Sequence, residues 1–334
     1  MSCMKTCMAL ILLLTIAYAD AYGGPYTLTI PLGLTETAIP KDNPMTVEKI
    51  ALGKKLYFDK RLSADDTVAC SNCHDPARGF ADALPTSSGI RGQFGPRNAP
   101  TVLNSAFYAL QFWDGRAPTL EEQAKGPIIN PVEMGMPSHD ELIKKLQGIP
   151  EYVKDFQEAF GSGITIDRLA QAIAAFERTI ISGNSTFDRF LYGEEPDAIS
   201  ESARKGLEVF RGKGRCLNCH DFNPMYAFFT DNKFHNIGVG MDRTDYDPGR
   251  FKVTQNPADK GAFKTSTLRN IELTAPYMHD GSQKTLEDVV EFYNKGGIRN
   301  PYLDGGIVPL GLSDQEKKDL VEFLKSLTGD KPQI

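Results

Sequence analysis

The chain has 334 residues, of which 41% are hydrophobic and 24% are charged, and its formal net charge is −6. This composition is typical of globular proteins and excludes a mostly disordered chain, and the length is sufficient for two domains of roughly 150 residues each. The acidic balance argues against nucleic acid as a partner, because nucleic-acid-binding domains usually carry a basic face.

The first residues have the pattern of an export signal. Lys5 precedes an apolar run over residues 8–16, and Ala17-Tyr18-Ala19 provides a small-x-small cleavage site. We therefore expect a signal peptide at residues 1–19, cleavage after Ala19 or Ala21, and a periplasmic product. The run is too short to span a bilayer and no second candidate follows it, so we expect no membrane span.

Hydrophobic periodicity along the rest of the chain predicts helices rather than strands. The predicted helices, in chain order, are residues 47–58, 166–181, 202–211, 285–294 and a last helix that begins at the capping box Ser313-x-x-Glu316 and ends at Gly329. The polar stretch at residues 193–197 is typical of a linker. We therefore predict a mainly α protein with domains at residues 20–195 and 196–334.

Cysteine spacing carries the strongest chemical signal. Two of the six cysteines lie in the predicted signal peptide, and the other four form two C-x-x-C-H motifs, Cys70-Ser71-Asn72-Cys73-His74 and Cys216-Leu217-Asn218-Cys219-His220. In this motif two thiols add across the vinyl groups of one porphyrin, and the adjacent histidine ligates the iron. The sequence therefore predicts two covalently bound c-type haems.

Two alternatives to haem explain less of this pattern. Disulfide bonds suit an exported protein but do not explain a histidine after each pair of cysteines. A four-cysteine zinc site would need both pairs to converge and would again leave His74 and His220 without a role. The order of helix, haem motif, long segment and closing helix occurs twice, which predicts two cytochrome c-type domains with one haem each.

Two further motifs, together with the haem motifs, resemble those of a known family. Phe112-Trp113-Asp114-Gly115-Arg116 and Pro276-Tyr277-Met278-His279-Asp280-Gly281, together with the two haem motifs, resemble the bacterial di-haem cytochrome c peroxidases and their relative MauG. The resemblance covers residues 47–327. It implies haems that face each other across the domain interface, and reduction of hydrogen peroxide to water through a ferryl haem. The electrons would come from a small cytochrome c or copper protein.

The same resemblance implies roles for individual residues. His74 would hold the peroxide-reacting haem and His220 the electron-transferring haem, with Trp113 between the porphyrins. Glu133 would move a proton between the two peroxide oxygens, and Gln123 would support that pocket. A packed core tryptophan, a solvated loop glutamate and a solvated helix glutamine are the structural alternatives.

A calcium ion and a homodimer are also implied by the resemblance. The side chain of Asn98 and the backbone carbonyls of Thr274 and Pro276 match the calcium position between the haems of the family. Oxygen ligands suit calcium, although three of them are too few without water molecules. Relatives are often dimers, and nothing else in the sequence bears on this.

The sequence departs from the peroxidases at the first haem. Peroxidases that need reductive activation have a histidine sixteen residues after the proximal histidine, and Ile90 stands at this position, followed by Arg91. We therefore expect the first haem to have an open distal face, so that no reductive step is needed. Arg91 could help to polarise peroxide, or it could be an ordinary surface arginine.

A second departure concerns the sixth ligand of the second haem. Tyr293 stands where the peroxidases have methionine, on a helical stripe with Leu286, Val289 and Val290. MauG uses tyrosine in this role, and phenolate favours oxidised iron where a methionine thioether favours Fe(II). The alternative is a core tyrosine, with the iron ligated by one of three methionines: Met278, Met225 or Met241.

Three functions follow from these features. The first is an exported peroxidase with a small electron-donor protein. The second is a MauG-like enzyme that oxidises side chains of a partner protein, which the departures at Ile90 and Tyr293 favour. The third is a passive di-haem electron carrier, which the absence of an obvious distal ligand near the first haem disfavours.

Overall fold

The computed structural model describes residues 24–334, so the predicted signal peptide and both cleavage positions lie outside the described residues. The helices are α1 (Val47–Phe58), α2 (Cys70–Cys73), α3 (Leu120–Ile129), α4 (His139–Gln147), α5 (Pro150–Phe160), α6 (Ile166–Glu177), α7 (Thr186–Tyr192), α8 (Glu201–Arg211), α9 (Phe251–Thr254), α10 (Leu286–Asn294) and α11 (Asp314–Lys325). Strands β1 (Phe234–His235) and β2 (Phe263–Lys264) pair antiparallel. The prediction of a mainly α protein is confirmed, and none of the helices described is long and apolar enough to cross a membrane.

Local sequence signals fix the starts of the helices. Helix α1 has the predicted bounds and begins at Thr46, whose hydroxyl accepts a hydrogen bond from Lys49 N. Helix α11 begins at the predicted capping box, in which the Ser313 and Glu316 side chains each accept a hydrogen bond from the backbone N–H of the other residue. Helix α8 begins one residue earlier than predicted, since Ser200 is its N-cap.

Two helices end earlier than predicted, and tertiary hydrogen bonds explain both ends. Helix α6 ends at Glu177 because the chain tightens into turns, with Ile180 N bonded to Glu177 O, and Ile180 O then accepts from Asn104 N. Helix α11 ends at Lys325, and Gly329 N donates to the side-chain oxygen of Asn270 instead of continuing the helix.

The two halves of the chain repeat one helix crossing. Gly53 of α1 lies so close to α6 that a Cβ atom there would be 1.9 Å from Ala172 O, and Gly206 of α8 would place a Cβ 1.9 Å from Asp319 O of α11. Glycine is therefore required at both crossings, because any side chain would force the helices apart. In each half of the chain, one C-x-x-C-H motif lies in the sequence between the two helices that cross, which supports the predicted repeat.

Separate hydrophobic cores surround the two crossings. The first core includes Leu52, Leu56, Phe156 and Leu169, and the second includes Phe210, Phe229, Leu320 and Phe323. Helix α7 precedes the predicted linker, yet Phe187 packs in the second core. The division into domains at residue 195 stays a prediction.

Candidate active site and haem-binding cavity

The second C-x-x-C-H motif opens onto a large, mostly apolar cavity. Cys216, Cys219 and His220 line it, and it contains about 1720 Å³ of empty space, part of which is open to solvent. His220 Nδ1 lies 2.9 Å from Phe229 O, so this hydrogen bond orients the ring and leaves Nε2 available. Two free thiols beside an available imidazole nitrogen, in an apolar cavity of this size, fit a covalently bound haem.

The first motif has the same local arrangement. Helix α2 carries both thiols, and His74 ends it, with His74 N bonded to Cys70 O at 3.0 Å. His74 Nδ1 lies 3.3 Å from Phe80 O, and the Tyr57 hydroxyl donates to His74 O at 2.8 Å. The histidine is therefore held on both its ring and its backbone, as an iron ligand needs to be.

The disulfide and zinc alternatives are not formed in the part of the chain that the structure describes. Cys70, Cys73, Cys216 and Cys219 are all free thiols there. The two pairs do not converge on a common site either: among residues 24–334 only Cys219, Asp231 and His235 come close enough to share a metal. The haem interpretation is the one that uses both histidines.

Glu133 lies beside the first motif in a partly buried position. Asn130 Nδ2 donates to Glu133 Oε1 at 2.7 Å, and burial raises the pKa of this carboxyl, while the positive charge of Arg116 opposes the rise. Burial also raises the pKa values of the Cys70 and Cys73 thiols to about 12 and about 11, and the nearby Glu133 carboxylate adds to both shifts. The structure therefore brings Glu133 near the first motif, and its role in proton transfer stays a prediction.

No hydrogen bond joins the side chains of Gln123 and Glu133 in the described part of the chain. Gln123 is half-buried on α3, and within the described range its side-chain amide makes no hydrogen bond. Its supporting role stays a prediction.

Ile90 packs against the Glu133 loop. It is 1% exposed, its N–H donates to Glu133 O at 2.8 Å, and its side chain lies so near Gly135 that a Cβ atom there would be 2.9 Å from Ile90 Cδ1. The following Arg91 is exposed, which matches an ordinary surface arginine. The position predicted for an activating histidine is thus occupied by a fixed apolar side chain.

The other histidines are engaged away from this loop. His139 Nε2 lies 3.0 Å from Lys125 O, and the His235 ring lies between the carboxylates of Asp231 and Asp304. His279 stacks on Phe263 with ring centroids 3.6 Å apart. No histidine of the described chain therefore replaces the missing one at Ile90.

Trp113 lines the same cavity as His220. Its indole N–H donates to Asn98 O at 2.9 Å, and its ring lies edge-on to His279 with centroids 6.5 Å apart. A tryptophan on a cavity wall is better placed to contact a bound group than one packed in a core. Its transfer role stays a prediction.

The three predicted calcium ligands also meet at this cavity. Asn98, Thr274 and Pro276 all line it, and Asn98 Nδ2 donates to Leu84 O at 2.8 Å. The structure brings these residues to one region but does not test whether a calcium ion binds there.

The candidates for the sixth ligand of the second haem differ in position. Tyr293 of α10 and Met278 line the cavity with His220, and burial raises the pKa of Tyr293. Met225 is 79% exposed on the surface, and Met241 lies next to Gly261, where an added Cβ atom would be 2.5 Å from the Met241 sulfur. The cavity therefore favours Tyr293 and Met278 over the other two methionines.

Sequence reasoning did not identify two ionisable groups of this region. Lys264 of β2 lines the cavity although it is buried, and His235 is held by two carboxylates one strand away. Neither belongs to a motif. The only local signal for the first is that Lys264 directly follows the apolar stretch Gly261-Ala262-Phe263.

Comparison with known proteins supports the haem interpretation. A family model described as di-haem cytochrome c peroxidase matches residues 47–196. The methylamine utilization protein MauG of Methylorubrum extorquens is 42% identical over 293 residues, which are 87% of this chain and 81% of that protein. The cytochrome c551 peroxidase of Nitrosomonas europaea is 41% identical over 292 residues, covering 86% and 82%.

The chain belongs to the di-haem cytochrome c peroxidase and MauG family.

A solved structure agrees with this assignment. The crystal structure of a MauG-like protein associated with microbial copper homeostasis aligns with a TM-score of 0.83 at 34% identity, covering 91% of this chain and 96% of that one. The predicted family and the predicted enzyme class, a peroxidase-type oxidoreductase, are confirmed. Family membership implies two c-type haems, in agreement with the two motifs.

Proposed function

We propose that this chain is an exported di-haem peroxidase that reduces hydrogen peroxide to water with electrons from a small cytochrome c or copper protein. The observation that carries the proposal is the partly buried Glu133 carboxyl beside the first C-x-x-C-H motif, with apolar Ile90 fixed next to it. A carboxyl that can transfer a proton therefore lies beside the motif that would hold the first haem, and no histidine of the described chain lies at the Ile90 position.

When bound, the haem on His74 supplies the iron that binds peroxide and exchanges electrons. Glu133 accepts the proton of the oxygen nearer the iron and returns it to the farther oxygen, which leaves as water. Asn130 holds the carboxyl in one orientation through the 2.7 Å hydrogen bond. Two electrons and two further protons complete the conversion of one peroxide to two water molecules.

Trp113 is proposed to carry electrons between the two haem sites, because it is held on the cavity wall by its bond to Asn98. We expect Trp113→Phe to keep both haem spectra and to react with peroxide, but to slow oxidation of the second haem after peroxide is added. Rapid-mixing absorption spectroscopy measures this. Phe107→Leu, which removes an aromatic ring whose centroid lies 4.6 Å from that of Phe228, is a control. An unchanged rate in Trp113→Phe would contradict the role.

A MauG-like function is the second candidate. Tyr293 lines the cavity with His220, and a phenolate ligand favours oxidised iron, which suits oxidation of a partner protein. The curated relatives carry both names, since one is called MauG and another cytochrome c551 peroxidase. A passive di-haem carrier is the third candidate, and the same Glu133 pocket argues against it.

One experiment separates these functions. Fully oxidised protein is mixed with one equivalent of hydrogen peroxide without reductant, and the haem absorbance is followed. We expect a rapid change, because the Ile90 side chain has no atom that could ligate the iron in place of peroxide. No change until one electron is added would support an ordinary reductively activated peroxidase and contradict our interpretation of Ile90. No change in either state would support the electron carrier.

Three further assignments belong to the proposal. The protein is periplasmic after removal of the signal peptide at Ala19 or Ala21, which N-terminal sequencing of the purified protein tests. One calcium ion is held by Asn98 and by the carbonyls of Thr274 and Pro276, with water completing its shell. The first haem belongs to residues 20–195 and the second to residues 196–334.

A further inference from the structure

Lys264 is a buried lysine for which the described residues provide no carboxylate partner. It is 7% exposed, and its backbone N–H donates to Trp113 O at 2.8 Å. Its Nζ lies 3.1 Å from the centroid of the Tyr108 ring, and among residues 24–334 no carboxylate oxygen lies within 4.0 Å of it. The residue lines the cavity of the second C-x-x-C-H motif, so its surroundings include the space that a bound group would fill.

Burial of the charged Lys264 side chain costs free energy when no anion is bound beside it. Burial lowers the pKa of Lys264 to about 7, and buried lysines are rarely found without a partner. Tyr108 offers the face of its ring but no negative charge, since burial raises its pKa to about 12 and its oxygen accepts from Thr267 N. An anion bound in the cavity would remove the cost, because an opposite charge stabilises the ammonium form.

We propose that Lys264 is a cofactor-binding residue that pairs with a propionate carboxylate of the second haem. The haem carries two such carboxylates, and these are the negatively charged groups that it would bring into this cavity. Arg215 also lines the cavity but is exposed, so water already compensates its charge. The inference depends on haem attachment at Cys216 and Cys219, and it does not depend on which electron donor or protein substrate the enzyme uses.

The pairing has a consequence for the iron. A buried positive charge close to a haem favours the reduced iron, which has one charge less than the oxidised iron, and the low local dielectric strengthens this effect. Removing the charge at Lys264 should therefore lower the reduction potential of one haem. Removing the same charge from an exposed residue should do much less, because water and salt screen it.

The test compares haem-loaded Lys264→Met and Lys264→Arg with Lys233→Met as the matched control. Lys233 is an exposed lysine directly before β1, and its carbonyl accepts from Thr265 N beside Lys264. Redox titration followed by absorbance measures the potentials of both haems, and resonance Raman spectroscopy measures the propionate bending bands. We expect Lys264→Met to shift one reduction wave to lower potential and to change the propionate bands. Lys264→Arg and Lys233→Met should change the reduction potential and the propionate bands less.

Each other outcome is decisive. Equal potentials in Lys264→Met and Lys233→Met would overturn the inference, and so would a shifted potential with unchanged propionate bands, because Lys264 would then pair with another group. If Lys264→Met and Lys264→Gln lose the second haem while Lys264→Arg keeps it, the positive charge is required and the inference stands. Loss of haem in all three variants would mean that the shape of lysine matters rather than its charge, which overturns it.

Discussion

Glu133→Gln is expected to slow the reaction of the oxidised protein with hydrogen peroxide by roughly 10²- to 10⁴-fold. Glutamine keeps the size of the side chain and can still bond to Asn130, but it cannot accept the peroxide proton. The amide therefore removes the proton transfer and leaves the pocket in place. Rapid mixing with peroxide, followed by haem absorbance, measures the rate.

The control for this variant is Glu122→Gln. Glu122 is an exposed carboxylate of α3 that pairs with Lys125, so its replacement removes the same charge away from the pocket. We expect the wild-type rate from this control and unchanged haem spectra from both variants. An unchanged rate in Glu133→Gln would remove Glu133 from the mechanism.

The pH dependence gives a second readout of the same residue. Glu133 acts first as a base, so only its ionised form starts the reaction. Because burial raises its pKa above the usual carboxyl value, the wild-type rate should fall as the pH is lowered through a pKa above that of an exposed glutamate. The Glu133→Gln rate should lack this step. If the rates of both proteins fall at the same pH, the titrating group is not Glu133.

The sequence predicted those features that depend on local patterns. The capping box at Ser313 and the periodic stripe of α1 are short-range signals, and both helices begin where they predict. The C-x-x-C-H motifs are equally local, and the structure places both histidines in the same hydrogen-bonded arrangement. Family resemblance then suggested roles for Glu133 and Tyr293, which stay predictions, because a pattern of spacing alone does not distinguish these two from ordinary residues.

Features that depend on distant contacts were not predictable. Helix α6 ends early because Asn104 bonds to Ile180 O, and these two residues are far apart in sequence. The partnership of Ile90 with the Glu133 backbone likewise depends on how two loops meet. Lys264 is informative only because, among residues 24–334, no carboxylate pairs with it in space, which no one-dimensional pattern can show.

Tyr293→Phe is expected to convert the second haem from low-spin to high-spin. The phenol is the proposed sixth ligand, and phenylalanine keeps its packing on α10 while removing the oxygen that would bind iron. Tyr277→Phe is the matched control, because Tyr277 also lines the cavity but its hydroxyl donates to Ile271 O at 3.1 Å. Electron paramagnetic resonance and absorption spectra of the oxidised proteins measure the spin state.

Met278 is the competing ligand in the same cavity, so Met278→Leu completes the comparison. If Tyr293 ligates the iron, Met278→Leu keeps the low-spin signal and Tyr293→Phe loses it. If Met278 ligates the iron, Tyr293→Phe keeps the low-spin signal and Met278→Leu loses it. The second haem would then favour Fe(II), because a thioether ligand stabilises the reduced iron. The proposed oxidation of a partner protein would then lose its main support, because it depends on a ligand that favours oxidised iron, whereas the peroxidase function would be strengthened.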